Sequence, residues 1–247
     1  MDNFLDIKYG LAAFLLLLTL VSGWYPFAKR KTSTHTFPLA DAFASGVFIG
    51  AGLIHMLPDA AQSFVEAGYD YPFAALIAVS VLLVLLWFEH YGSELYHHHH
   101  QGSFVLISVI MLSIHSLLEG GALGLVEHFA LLSVLAIAIL GHKWAAGFAL
   151  AVQINKSDLC FRTRLAYYVI FALMTPLGIV GGSLVHHYGE SATLIASINA
   201  MAAGTFLYLG TLHGLNRAVM IEKCCNMRQY SFVVLGFALM AVIAIWL

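Results

Sequence analysis

Long apolar runs separated by short polar joints dominate the hydropathy pattern of this chain. Each run is roughly the 20 residues that an α-helix needs to cross a bilayer. Backbone polar groups in lipid must be satisfied within their own segment, and the alternation typical of β-barrel strands is absent, so the runs predict helices. The predicted spans are residues 4–25, 38–62, 72–93, 103–127, 130–153, 164–187, 192–215 and 229–247. The pattern therefore predicts an all-α fold, a single membrane domain over residues 1–247 with eight transmembrane helices.

Composition agrees with this interpretation. Of the 247 residues, 61% are hydrophobic and 10% are charged, and the mean hydropathy is +0.87. A soluble domain of this size could not bury so much apolar surface. We therefore expect a multi-pass protein of the cell membrane, in the inner membrane if the source is a Gram-negative bacterium. Its expected surroundings are the lipid bilayer, and no nucleic-acid partner is expected.

The distribution of lysine and arginine predicts the orientation. Nine of the eleven basic residues fall after odd-numbered spans or at the ends of those loops. By the positive-inside rule these loops are cytoplasmic and both termini are outside. Asp2 and Asp6 stand where a cleavable signal peptide would carry basic residues, so we expect the first run to be a transmembrane helix.

The predicted cytoplasmic loop at residues 94–102 contains four consecutive histidines, His97–His100. Such a run can hold a borderline divalent cation without imposing a fixed geometry. The alternative is a solvated polar turn with no ligand, and the sequence leaves both open.

Pairs of glycines at GxxxG spacing punctuate three spans. This spacing lets helix backbones approach closely, which supports packing within a bundle and makes a homodimer reasonable. The pairs are Gly46 with Gly50, Gly120 with Gly124, and Gly178 with Gly182.

His115 and Glu119 lie near the middle of the fourth predicted span. Four residues apart on a helix, they share one face about one turn from each other. Ionisable groups at that depth are costly and usually face the protein interior. His142 lies near the middle of the next, antiparallel span and should reach a similar depth. Two imidazoles and one carboxylate suit Zn²⁺ and also accept Fe²⁺ or Mn²⁺. The alternative is a hydrogen-bonded pair that only ties helices together.

Four further groups are candidates for the path of an ion. His55, toward the outer end of span two, could receive an incoming cation, and Asp59 one turn further out could concentrate cations at a mouth. An interfacial carboxylate in contact with water is the alternative for Asp59. Glu89, near the cytoplasmic end of span three, is a candidate for an exit path, and His213 is more typical of a helix-end residue. Lys143 places a positive charge, or an amine with a lowered pKa, beside His142, and such a charge favours one central metal site over a binuclear one.

In this order, these motifs resemble the ZIP (Zrt-/Irt-like) family of divalent metal transporters. The resemblance covers most of the chain and suggests a short bacterial-type member. It implies that His115, Glu119 and His142 are transport-site ligands. It also implies that His55 and Asp59 line the way in, and that Zn²⁺ or a related ion moves toward the cytoplasm. The matching segments are Phe43–Ala60, His115–Gly120, His142–Lys143 and Thr175–Gly178.

One position departs from the commonest family pattern. Members often carry a glutamate four residues after the histidine of span five, whereas this chain has Ala146. We expect Glu89 or His55, ahead of water alone, to complete the coordination. Ser116 and Lys143 follow the two central histidines, so the second metal site of some members is expected to be absent.

Three other functions could use buried histidines and a carboxylate in a membrane protein. A membrane metalloenzyme such as a histidine-box hydroxylase lacks support, because repeated HxxxH and HxxHH boxes are absent. A bis-histidine haem protein is disfavoured because the central histidines share their site with a carboxylate. A structural membrane protein with buried ion pairs is the third alternative. We expect a transporter rather than an enzyme, with no catalytic cofactor, and with Zn²⁺, or else Fe²⁺, Mn²⁺ or Cd²⁺, as its cargo.

Overall fold

A computed structural model describes residues 2–28, 38–95, 100–157, 159–185, 192–212 and 227–245. Within these ranges the regular structure is helical and contains no strand. Eight helices in the described part are long and apolar enough to cross a membrane, which confirms the predicted all-α bundle. The elements are α1 (Asp2–Ala28), α2 (Pro38–Gly50), a π-helical turn (Ala51–Met56), α3 (Leu57–Glu66), α4 (Phe73–Leu95), α5 (His100–Leu125), α6 (Phe129–Lys156), α7 (Phe161–Val185), α8 (Ala192–Leu207) and α9 (Met227–Ala244).

Some predicted features fall outside these ranges. Helix α4 continues to Leu95 and α5 begins at His100, so the helices take up most of the predicted loop at 94–102. His97–His99 and His213 lie outside the described residues, and the predictions for them stay predictions. The orientation of the termini also stays a prediction.

The helices pack as two groups of four spans. One group contains α1, α5, α6 and α7, with α5 packed most extensively along α7 and α1 against both α6 and α7. The other group contains the continuous span α2–α3 with α4, α8 and α9. In it, α9 packs along α2, and α8 packs against both α3 and α4. The groups meet chiefly where α5 contacts α8 and where α2 contacts α6.

The outward faces of the bundle are apolar. On α1, for example, the side chains of Leu17, Val21 and Trp24 are exposed. In water such a surface would be unfavourable, whereas bilayer hydrocarbon is as apolar as leucine. The bundle is therefore built for a lipid environment, with its polar side chains turned inward.

Glycines bring α5 and α7 into backbone contact. A Cβ atom built on Gly178 would lie 2.9 Å from the Cα of Gly120, and one built on Gly124 would lie 2.8 Å from the Cα of Gly182. No side chain fits at that separation, so the predicted close approach is confirmed for these pairs. These glycine faces pack against each other within one chain, so they are no longer evidence for a homodimer. The homodimer stays a prediction.

The π-helical turn before Pro58 turns His55 into the bundle. Proline has no amide hydrogen and cannot donate to the carbonyl four residues before it. Just before Pro58, Leu57 N–H bonds to the Gly52 carbonyl, five residues back, which is the π-helical spacing. The π-helical turn carries His55, whose side chain is buried.

Substituting Gly178 by alanine should lower the melting temperature of the protein in detergent. The added methyl group would have to push α5 away, and overpacking of this kind costs about 1–3 kcal/mol. Gly181→Ala is the matched control on the same helix, since its Cβ would meet no atom within 4 Å. Alanine favours the helix at both positions, so equal melting temperatures for the two variants would contradict the packing argument.

Candidate metal centre

Three potential ligands converge inside the bundle. His115, Glu119 and His142 each offer one nitrogen or oxygen atom, and these atoms lie within 4.8 Å of one another. All three side chains are buried. In the part of the chain that the structure describes, this is the one such group of three or more His, Cys, Asp or Glu residues. The structure thus brings together the three central residues singled out from the sequence.

One carboxylate oxygen faces both imidazoles. Glu119 Oε1 is hydrogen-bonded to His142 Nε2 and lies 3.8 Å from His115 Nε2. The histidine and carboxylate of α5 are one turn apart, as predicted, and α6 supplies the second imidazole. Because a hydrogen bond between Glu119 and His142 contains one proton, a cation bound by both groups would have to replace that proton.

The other carboxylate oxygen faces an ammonium group. Lys143 Nζ lies 3.2 Å from Glu119 Oε2 and donates to Ser116 Oγ at 2.8 Å. The lysine is buried, and its Nζ is 5.2 Å from the ring centre of Phe171. The lysine expected from the sequence therefore directs its amino group at the central carboxylate.

Helix α8, from the other group of spans, holds both imidazoles. His115 Nδ1 lies 3.0 Å from the Thr205 hydroxyl, and the His115 ring stacks on Phe206 with ring centres 4.0 Å apart. The His142 ring meets Phe206 edge-on at 4.9 Å. Sequence reasoning missed Thr205 and Phe206, since a threonine and a phenylalanine in an apolar run look like ordinary packing residues.

A narrow cavity joins the centre to the second span. It has a water-accessible volume of about 20 Å³, enough for one water molecule. His55 Nδ1 lies 2.8 Å from Asp59 Oδ2, so this predicted pair is itself in contact. Asn199 of α8 is a lining residue that sequence reasoning missed. The polar and sulfur-containing side chains around the cavity are His55, Met56, Asp59, Glu119, His142 and Asn199.

Glu89 lies outside this cluster. Its carboxylate accepts a hydrogen bond from the hydroxyl of Tyr208, just after α8. Ala146 is buried in the hydrophobic core. Of the two residues expected to complete the coordination, His55 is the one that shares a cavity with Glu119 and His142.

Comparison with known proteins identifies one family. The sequence profile of the family described as "ZIP Zinc transporter" matches residues 5–104 and 98–244. The chain is 28% identical to Zinc transporter ZIP2 of Homo sapiens and 27% identical to that of Mus musculus, each alignment covering 100% of both chains. It is 29% identical to Zinc transporter ZIP1 of Takifugu rubripes, over 99% of each chain.

Replacing Lys143 by methionine should destabilise the protein in the absence of metal. Removing one partner of a buried ion pair costs about 3–5 kcal/mol, because the remaining charge is left uncompensated. The double variant Lys143→Met/Glu119→Gln removes that charge and should recover part of the loss. Thermal unfolding in detergent measures both, and a double variant less stable than Lys143→Met would show that the ion pair is not the cause.

Proposed function

Because the chain belongs to the ZIP zinc transporter family, we propose that it carries a divalent transition-metal cation, foremost Zn²⁺, across the membrane into the cytoplasm. The observation that carries this proposal is the convergence of two imidazoles and one carboxylate inside a bundle of membrane-spanning helices. The family is one of membrane metal transporters and not of enzymes. It therefore supports transport over the metalloenzyme and haem alternatives.

His115, Glu119 and His142 are the proposed ligands of the transported ion. Imidazole nitrogen and carboxylate oxygen are the ligands that Zn²⁺ uses in open sites, and they also accept Fe²⁺ and Mn²⁺. The ligand atoms already lie within 4.8 Å of one another, so small side-chain movements suffice to surround one ion. Preference for zinc over the other ions rests on the names of the relatives.

We propose that the site holds one ion at a time. A second cation would have to bind the far oxygen of Glu119, where the Lys143 ammonium already lies at 3.2 Å. Two further positive charges in that volume would repel the lysine in a medium of low dielectric constant. The chain thus has a fixed cation where a second metal ion would otherwise lie.

The proposed way in is the cavity between His55 and the centre. Asp59 is half-buried and can attract cations from water, while His55 is buried one turn further in. The cavity has room for about one water molecule, so an ion passing through must exchange most of its hydration shell for protein ligands. The amide of Asn199 and the thioether of Met56 are available along the same path.

The proposed way out lies at the opposite end of the bundle. Helices α3 and α4 are joined by the short link 67–72, and the ring centres of Phe64 and Phe73 are 5.8 Å apart, so the start of α4 lies beside the end of α3, beyond Asp59. Glu89 is sixteen residues further along α4, or about 24 Å at the rise of an α-helix. Its contact with Tyr208 places a carboxylate at the far end of the α4–α8 contact.

Uptake of radiolabelled Zn²⁺ into proteoliposomes tests the transport proposal. Removing a ligand should weaken binding at least as much as removing a group that supports a ligand, so His115→Ala and Glu119→Ala should each lower saturable uptake at least about tenfold. His128→Ala, at an exposed histidine between α5 and α6, is the matched control and should behave as the parent. Uptake by folded His115→Ala and Glu119→Ala at the parent's rate would contradict the assigned site.

Uptake should weaken as the pH on the outer side falls from about 7.5 to about 5.5. Histidine ordinarily takes up a proton near pH 6.5, and a protonated imidazole has no lone pair for a metal ion. Since protons and metal compete for the same atoms, low pH should raise the KM for Zn²⁺ more than it lowers the maximal rate. Initial rates across this range measure the effect, and a flat profile would contradict the predicted competition between protons and metal.

A further inference from the structure

We propose that Thr205 is a positioning residue that fixes His115 in the tautomer able to bind the transported ion. This inference rests on the proposed function, since it takes His115 Nε2 as a ligand atom. Thr205 lies on α8, in the group of spans that does not contain the three ligands. It would act on the ion only through His115.

The hydrogen-bond donors and acceptors around Thr205 can be assigned from its two neighbours. Its hydroxyl lies 2.6 Å from the Ala202 carbonyl oxygen and 3.0 Å from His115 Nδ1. A carbonyl oxygen can only accept, so the single hydroxyl proton is directed to Ala202. The hydroxyl oxygen must then accept from His115, which places the imidazole hydrogen on Nδ1.

That assignment leaves the lone pair on His115 Nε2. This nitrogen is buried and has no hydrogen-bond partner among the described residues. It lies 3.8 Å from Glu119 Oε1, on the side where the other ligand atoms meet. Buried polar atoms are nearly always paired, so an unpaired acceptor at this position fits a nitrogen that is kept for a cation.

Burial protects the hydrogen bond between His115 and Thr205 from water. The side chains of His115 and Thr205 are 1% and 3% exposed, so water has little access to replace either partner. A second partner that fixes the hydrogen on one ring nitrogen raises the basicity of the other and sets the orientation of the ring. His115 therefore needs no change of tautomer when the ion arrives.

The constraint also spans the boundary between the two groups of helices. His115 belongs to α5 and Thr205 to α8, and these helices form the main contact between the groups. The metal-binding form of His115 thus depends on α8 being packed against α5.

The test compares two substitutions at Thr205 with a control on the same span. Thr205→Val keeps the side-chain shape but removes the hydroxyl, whereas Thr205→Ser keeps the hydroxyl. Thr211→Val is the matched control, since the Thr211 hydroxyl is bonded to the Leu207 carbonyl at 2.5 Å. The Zn²⁺ dissociation constant is measured from the metal-induced rise in melting temperature, and KM and maximal rate are measured in proteoliposomes.

Thr205→Val should raise the dissociation constant and KM for Zn²⁺ about 10–100-fold, the usual effect of losing a partner that orients a metal ligand. Thr205→Ser and Thr211→Val should keep the parent's values. In a His115→Ala background, adding Thr205→Val should weaken Zn²⁺ binding no further, because a residue that acts through His115 has nothing left to orient. A purely structural threonine would instead lower stability in both backgrounds without this dependence.

Three results would overturn the inference. One is a folded Thr205→Val protein with the parent's affinity and KM. Another is a Thr205→Ser protein that loses affinity, which also decides the matter if the valine variant does not fold. The third is further weakening by Thr205→Val in the His115→Ala background. A parent protein that neither binds nor transports Zn²⁺ would overturn this inference and the proposed function together, whereas the first three results leave the transport proposal intact.

Discussion

The buried carboxylate of Glu119 is the constraint on which the centre of this bundle depends. An ionised group at mid-membrane depth is expensive unless the protein surrounds it with charge and hydrogen bonds. Here Lys143 and His142 of α6 supply both. This requires α6 to lie against α5, while α7 is held close on another side of α5 by glycines. The positions of α5 and α6 are thus tied to one side chain.

The charge balance around Glu119 also bears on how firmly an ion can be held. With Lys143 paired to the carboxylate, the charged groups of the centre sum to zero before a cation arrives. A dication then brings two charges, and the described cluster of His115, Glu119 and His142 holds no second carboxylate, since position 146 is an alanine. Weak compensation lowers affinity, which suits a transporter, since an ion that binds too tightly cannot leave. A storage or structural metal site would instead need enough negative charge to offset both charges of the ion.

Hydropathy was enough to predict the eight spans, because each apolar run satisfies its own backbone within the bilayer. Helical periodicity and depth were enough to predict that His115, Glu119 and His142 meet. Contacts between residues far apart in the sequence could not be predicted in this way. Thr205 is 90 residues from His115 and Tyr208 is 119 from Glu89.

Helix pairing shows the same limit. The spans of α5 and α6 were predicted to be antiparallel and to bring their histidines to a similar depth, and the two helices do touch, yet α5 packs most extensively along α7. Glycines on both faces decide this, because only they allow backbone contact. The π-helical turn before Pro58, which carries the buried His55, was not predicted either.

The two histidines of the proposed metal site differ in the hydrogen bonds that surround them. His115 donates from Nδ1 to Thr205, and its Nε2 is unpaired within the described chain. His142 instead shares a proton with Glu119 through Nε2, and its buried Nδ1 has no partner there. A cation could therefore bond to His115 without displacing a proton, whereas bonding to His142 Nε2 and Glu119 would require the proton between them to move, which a neutral His142 allows by taking that proton on its unpaired Nδ1. The proton rearrangement that a bound cation would demand is thus confined to the His142–Glu119 pair, while His115 offers a lone pair that is already in place.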